Sequence, residues 1–222
     1  MYSLKLDRIA FLSLFLLCFI TNANADNSKI KSEKFPFNYG KMEDTVYANP
    51  FFGFKMSVPS AWVVQNKSQI AYVISKGKDA VEFKEETTNK AIKDLDVSSM
   101  TLIMLSKHEL GAPVEFNPSL MIMAEDVSMY PGVKIGSDYL FQLKRQFKNS
   151  NLNFTVSEEY GNIELSGNKF DILECSKEGT NTHLDYICSI QKRFAFAFII
   201  TYSNEDEKNE LMDIVRTTQL QQ

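Results

Sequence analysis

Histidine, tryptophan and cysteine are scarce in this chain, at two, one and three residues among 222. His108 and His183 fall in no H-x-x-x-H or Cys/His ligand spacing, so no metal site is assigned. Nine glycines and six prolines exclude collagen-like or Pro-rich material. Positive charge shows no excess, with 24 Lys+Arg against 28 Asp+Glu and a net charge of −4. Phosphate would meet no attractive field, which excludes a polybasic nucleic-acid binder. The chain also lacks G-x-S-x-G and H-E-x-x-H, and Gly132-Val-Lys-Ile-Gly136 lacks the spacing of a phosphate-cradling loop. No catalytic residue and no cofactor is therefore expected. What remains is 44% apolar and 12% aromatic residues, enough to build a core and to exclude a disordered chain.

The N-terminal 25 residues read as an export signal. Lys5 and Arg8 supply a short positive region, Ala10 to Ile20 an apolar run, and Ala23-Asn24-Ala25 a small-x-small cleavage pattern. The run falls short of the roughly 20 apolar residues a membrane span needs. An uncleaved anchor is the alternative, and Leu17 before Cys18 argues against a lipidation site. Cleavage between Ala25 and Asp26 predicts a periplasmic or secreted protein with no stable membrane insertion. Residues 26–41 are polar and read as a flexible leader, and 42–222 as one domain.

Along that domain, Tyr47 to Pro59 reads as a hairpin, with Phe54, Met56 and Val58 alternating with Lys55 and Ser57. Ser68 to Asp94 is charged with helical spacing, and Gly77 is expected to break it into two helices. The runs Met100–Ser106 and Ser119–Ala124 do not alternate, so strands covered on both faces are expected. Ser137 to Lys148 reads as a helix with Leu140, Leu143 and Phe147 inward. Five strands follow: Phe154–Ser157, Gly161–Leu165, Phe170–Ser176, Leu184–Gln191 and Phe194–Tyr202. Asn204, with Glu207 three residues on, starts a last helix that buries Leu211, Ile214 and Val215. Short connections favour antiparallel pairing. The expectation is an α+β fold, a three-layer α/β/α sandwich with a mostly antiparallel central sheet.

The stretch Y-A-N-P-F-F-G-F-K-M-S-V-P-S-A-W, from Tyr47 to Trp62, resembles the opening hairpin of Mog1/PsbP-like domains. F-N-P-S-L-M-I-M-A-E at Phe116 to Glu125 looks like an exported bacterial branch, and Asp138-Tyr139-Leu140 is similar too. The resemblance spans about Val46 to Thr218 and implies an antiparallel sheet flanked by helices. Relatives serve as accessory or binding modules, some in photosystem assembly and one on a nuclear GTPase. No partner-binding motif of theirs maps onto this chain, so no site residue is carried over.

Among the residues themselves, Cys175 and Cys188 are the strongest pair. A hairpin turning at Asn181-Thr182 would set Cys175 opposite Cys188, with Cα atoms about 4.5 Å apart, within disulfide reach. Such a bond, closing a loop of about 14 residues, would contribute roughly 3 kcal/mol. A redox pair is the alternative, without C-x-x-C spacing or an adjacent cation to support it. Phe51, Phe52, Phe54 and Trp62 read mainly as core, with Phe51, Phe52 and Trp62 as candidate surface contacts. Met100, Met104, Met121, Met123 and Met129 read as gap-fillers rather than copper ligands. Glu125-Asp126 and Glu158-Glu159 are paired carboxylates with nothing to select them as a metal or hydrolytic site. The functional expectation is an exported, non-enzymatic binding or accessory protein with a protein partner. The alternative is a secreted enzyme or a host-directed effector with an unrecognised site.

Overall fold

A computed structural model describes residues 39–81 and 101–221. The expected export signal, the expected Ala25–Asp26 cleavage point, most of the expected leader, Met100 and the segment from 82 to Asp94 lie outside the described residues. The elements in chain order are β1 (Lys41–Glu43), β2 (Val46–Asn49), β3 (Phe54–Ser57), β4 (Val63–Val64) and α1 (Lys67–Ala80). Then come β5 (Thr101–Ser106), β6 (Ser119–Asp126), α2 (Gly136–Asn149), β7 (Phe154–Val156) and β8 (Gly161–Leu165). The chain closes with β9 (Asn168–Lys177), β10 (His183–Gln191), β11 (Phe194–Tyr202), α3 (Glu205–Arg216) and β12 (Gln219–Leu220).

The main sheet has the order β4-β5-β6-β11-β10-β9-β7, with β8 also on β9, and every pairing is antiparallel. All nine residues of β11 are buried, because it lies mid-sheet with both faces covered. Its two faces differ in side-chain size. Ala195, Ala197 and Ile199 turn toward the cluster that holds α1 and α2 side chains, such as Val73, Leu140 and Leu143. Phe194, Phe196 and Phe198 turn the other way. There Phe52 and Phe54 each bring their rings within 5.2 Å of Phe196, and Phe170 sits 5.7 Å from Phe198. Such tilted ring pairs each add about 1 kcal/mol beyond area burial.

The cover on this aromatic face corrects the expected helical outer layer. A four-stranded sheet, ordered β1-β2-β3-β12, shares the face with α3. β3 explains why: Phe54 and Met56 point inward while Lys55 and Ser57 are exposed, so the small sheet has one apolar face to bury. One face of the main sheet is thus helix-covered, and the other is covered by a sheet and a helix together.

Helix starts follow their side chains. Asn66 accepts from the Gln69 amide at 3.0 Å while Gln69 Oε1 accepts from the Asn66 amide at 2.8 Å, a reciprocal cap on α1. The Asn204 side chain accepts from the Glu207 amide at 3.0 Å and starts α3. The break expected at Gly77 does not occur; α1 runs through to Ala80. Gly77 is buried on the side of Val73 and Ile74. A helical glycine costs only about 1 kcal/mol, too little to end a helix that is capped and buries an apolar face.

Candidate functional site

The two cysteines come first, because the structure separates them. Lys177 donates its amide to the Thr182 carbonyl at 2.9 Å, and the loop between them contains Gly179 at φ +74°. The turn therefore sits two residues earlier than Asn181-Thr182, at the glycine that accepts the left-handed backbone. Cys175 now faces Leu184, and Cys188 faces Asp171. Four strand residues separate Asp171 from Cys175, about 13 Å, beyond the roughly 7 Å Cα limit for a disulfide. Both cysteines are free and buried, which corrects the expected disulfide. Burial pushes both thiols well up, the reverse of a reactive thiolate.

The aromatic candidates divide. Phe52 and Trp62 are 5% exposed, so neither is available as a surface contact. Trp62 Nε1 donates to Glu210 at 3.0 Å, tying the residue to α3. Phe51 is half-buried, edge-on to Phe52 and Phe194, with the Lys192 ammonium 4.7 Å above its ring. Met104, Met121 and Met123 are core residues, whereas Met129 is 72% exposed on a different surface. Glu125 and Asp126 point apart: Glu125 accepts the Tyr139 hydroxyl beneath α2, and Asp126 pairs with Arg193. Glu158 pairs with Lys144 at 2.8 Å and Lys148 at 3.7 Å. His108 is exposed and exchanges backbone hydrogen bonds with the Asn117 side chain. Among the described residues no His, Cys, Asp or Glu group has the arrangement to hold a metal ion.

His183 is held within the sheet. It opens β10, its ring stacks on Tyr202 at 5.3 Å, and its Nδ1 lies 2.9 Å from Ser176 Oγ. Nearby, the buried Asp185 accepts the Tyr202 hydroxyl at 3.0 Å and meets Lys208 Nζ at 3.2 Å. Lys208 also reaches Glu174 at 2.9 Å. Burial pushes the Asp185 carboxyl up despite Lys208 and Tyr202. A serine nucleophile needs its histidine oriented by a third group. Asp185 is committed to Tyr202 and Lys208 instead, so the cluster anchors α3 to the sheet.

The second arrangement is a groove of about 600 Å³ beside the start of α2. One wall is the loop after β6. Its chain folds through two successive turns, Tyr130 amide to Val127 carbonyl and Val133 amide to Tyr130 carbonyl, each 2.9 Å. Val127 itself donates to the Arg193 carbonyl at 2.9 Å. The other wall is α2, where Gly136 is pressed onto β10: a Cβ there would lie 2.1 Å from the Cys188 carbonyl oxygen. Asp138 Oδ2 accepts from the Lys134 and Ile135 amides, and Asp171 Oδ2 from the Ser137 amide at 2.8 Å. Met129, Tyr130, Val133, Phe141 and Tyr160 line the groove with Asp138. Met129, Ile135 and Phe141 are each more than half exposed, an apolar group that the fold leaves in water. Burial raises the Tyr160 phenol, and the carboxylates of Asp138, Asp171 and Glu158 add to that rise.

Sequence reading singled out none of Phe141, Tyr160 and Lys208. Phe141 lies off the Leu140–Leu143–Phe147 stripe, and that displacement was the available signal.

No family model and no curated protein matches this chain. It is similar to a solved structure. That structure is the solution structure of cyanobacterial PsbP (CyanoP) from Synechocystis sp. PCC 6803, at a TM-score of 0.47 and 10% identity. The match covers 79% of this chain and 91% of that one.

Proposed function

We propose that the chain is an exported, non-enzymatic binding or accessory protein of the Mog1/PsbP-like kind, acting in the periplasm or after secretion on a protein partner. The observation that carries this reading is the groove beside α2. Exposed Met129 and Phe141 line it, whereas the other polar and aromatic candidates are committed to partners within the fold. The export signal and the Tyr47–Trp62 resemblance support the compartment and the kind of module. Photo-crosslinking from position 141 in native cells tests it, against position 72, whose tyrosine is 50% exposed on α1. One reproducible protein adduct from 141 and none from 72 is expected; equal or absent adducts overturn the reading.

The 2.9 Å contact between Ser176 Oγ and His183 Nδ1 favours one second reading, a secreted hydrolase. Labelling of Ser176 by a fluorophosphonate probe, lost in Ser176→Ala, would establish it. The proposed reading expects no labelling.

A further inference from the structure

We infer that the groove beside α2 takes an extended protein segment pairing a basic side chain with apolar neighbours, the arginine or lysine entering where Asp138 and Tyr160 line the wall. This rests on the binding reading above and names the partner's chemistry. The start of α2 is not an anion site. Asp171 takes the Ser137 amide and the Ile135 carbonyl takes the Asp138 amide, while the Asp138 carboxylate takes the Lys134 and Ile135 amides just before the helix. The positive helix end amounts to about half a charge, less than those two carboxylates bring.

The cations nearby are mostly spent. Lys144 and Lys148 hold Glu158, and Lys169 holds Asp171 at 3.0 Å. Among the described residues no cation pairs with Asp138, Lys134 four residues away included, and its second oxygen has no hydrogen-bond partner. Burial raises the Tyr160 phenol most, and the carboxylates of Asp138, Asp171 and Glu158 add to that rise, with Asp138 the one of the three that no lysine holds. A carboxylate beside aromatic rings suits a guanidinium or ammonium, through a charge-assisted hydrogen bond and a ring-face contact. Met129 and Phe141 offer the apolar residues on either side a surface. The chain's net charge of −4 draws a basic partner in the same sense.

Fluorescence polarisation with the full chain and three labelled eight-residue peptides tests this, the peptides alternating leucine with arginine, glutamine or glutamate. The arginine peptide should bind at least about tenfold tighter than the glutamine peptide, and the glutamate peptide weakest. Asp138→Asn keeps a capping oxygen and the fold, and should reduce the arginine peptide to the glutamine peptide's affinity. Phe141→Ser should weaken the arginine and glutamine peptides alike. Equal arginine and glutamine affinities, both lost in Phe141→Ser, would overturn the basic-partner inference and leave the binding reading standing. Tightest binding by the glutamate peptide also overturns the inference. No binding of any peptide at millimolar concentration overturns both.

Discussion

Glu125 accepts a hydrogen bond from the Tyr139 hydroxyl under the first turns of α2, so a buried carboxyl sits between the sheet and the helix that walls the groove. Burial pushes this carboxyl up to about 7, with Tyr139 pulling the other way and Asp126 adding to the rise. An acid raised in the folded state costs nothing while protonated in both states, below its ordinary value of 4.5. Stability then falls as pH climbs to about 7, where the folded protein must ionise the group. Glu125→Gln should match the parent at pH 4 and exceed it by at most about 3 kcal/mol at pH 8. Urea midpoints of both proteins across that range measure the difference, and parallel curves would refute it.

The thiol prediction concerns mass and reactivity together. Because Cys175 and Cys188 face Leu184 and Asp171, native protein should carry a hydrogen on each of these two thiols. Neither should alkylate in the native state, since burial pushes both thiols up; both should alkylate in denaturant. An intact mass lacking two hydrogens, restored by reductant, would show the β9–β10 register to be wrong.

Gly136→Ala should be among the most damaging single-methyl changes in the chain. Its Cβ would meet the Cys188 carbonyl oxygen at 2.1 Å and carbon at 2.9 Å, both immobile backbone. Lifting α2 to relieve that contact costs about 3 kcal/mol, at the upper end for overpacking. Groove binding should fall with it, because the same helix carries Phe141. A denaturant midpoint unchanged from the parent would contradict this close approach.

Lys208 and Asp185 should show strong coupling. Lys208→Met leaves the Asp185 carboxylate, 2% exposed, without its cation, at a cost of about 3 kcal/mol. Adding Asp185→Asn should recover more than half of that, since no buried charge remains. A double-mutant cycle reads the coupling directly. Additive single effects would mean that the pair is screened and that α3 is held by its apolar stripe alone.

Legibility differed by element for physical reasons. The strand from Phe194 to Tyr202, and α3 with its Asn204 cap, were readable because an unbroken apolar run and a capping pattern are local signals. The β9–β10 register was not, although Gly179 marked the left-handed turn position; displacing a turn by two residues moves every cross-strand partner by four. The second outer layer was misread because alternation in Phe54 and Met56 tells that a strand buries one face, not which surface it covers. The groove escaped because periodicity finds inward residues, and Met129, Ile135 and Phe141 point outward from separate stretches.

The position of β11 in the sheet order sets the timing of assembly. It joins the β4-β5-β6 group to the β10-β9-β7 group, yet Phe194–Tyr202 follows every other strand of that sheet in the chain. Until it arrives, β6 and β10 are two open strand edges with no partner between them. A chain stopped before Phe194 therefore holds two half-sheets that can pair with other chains rather than with each other. A polypeptide threaded through a membrane N-terminus first would remain without its finished sheet until Tyr202 had crossed.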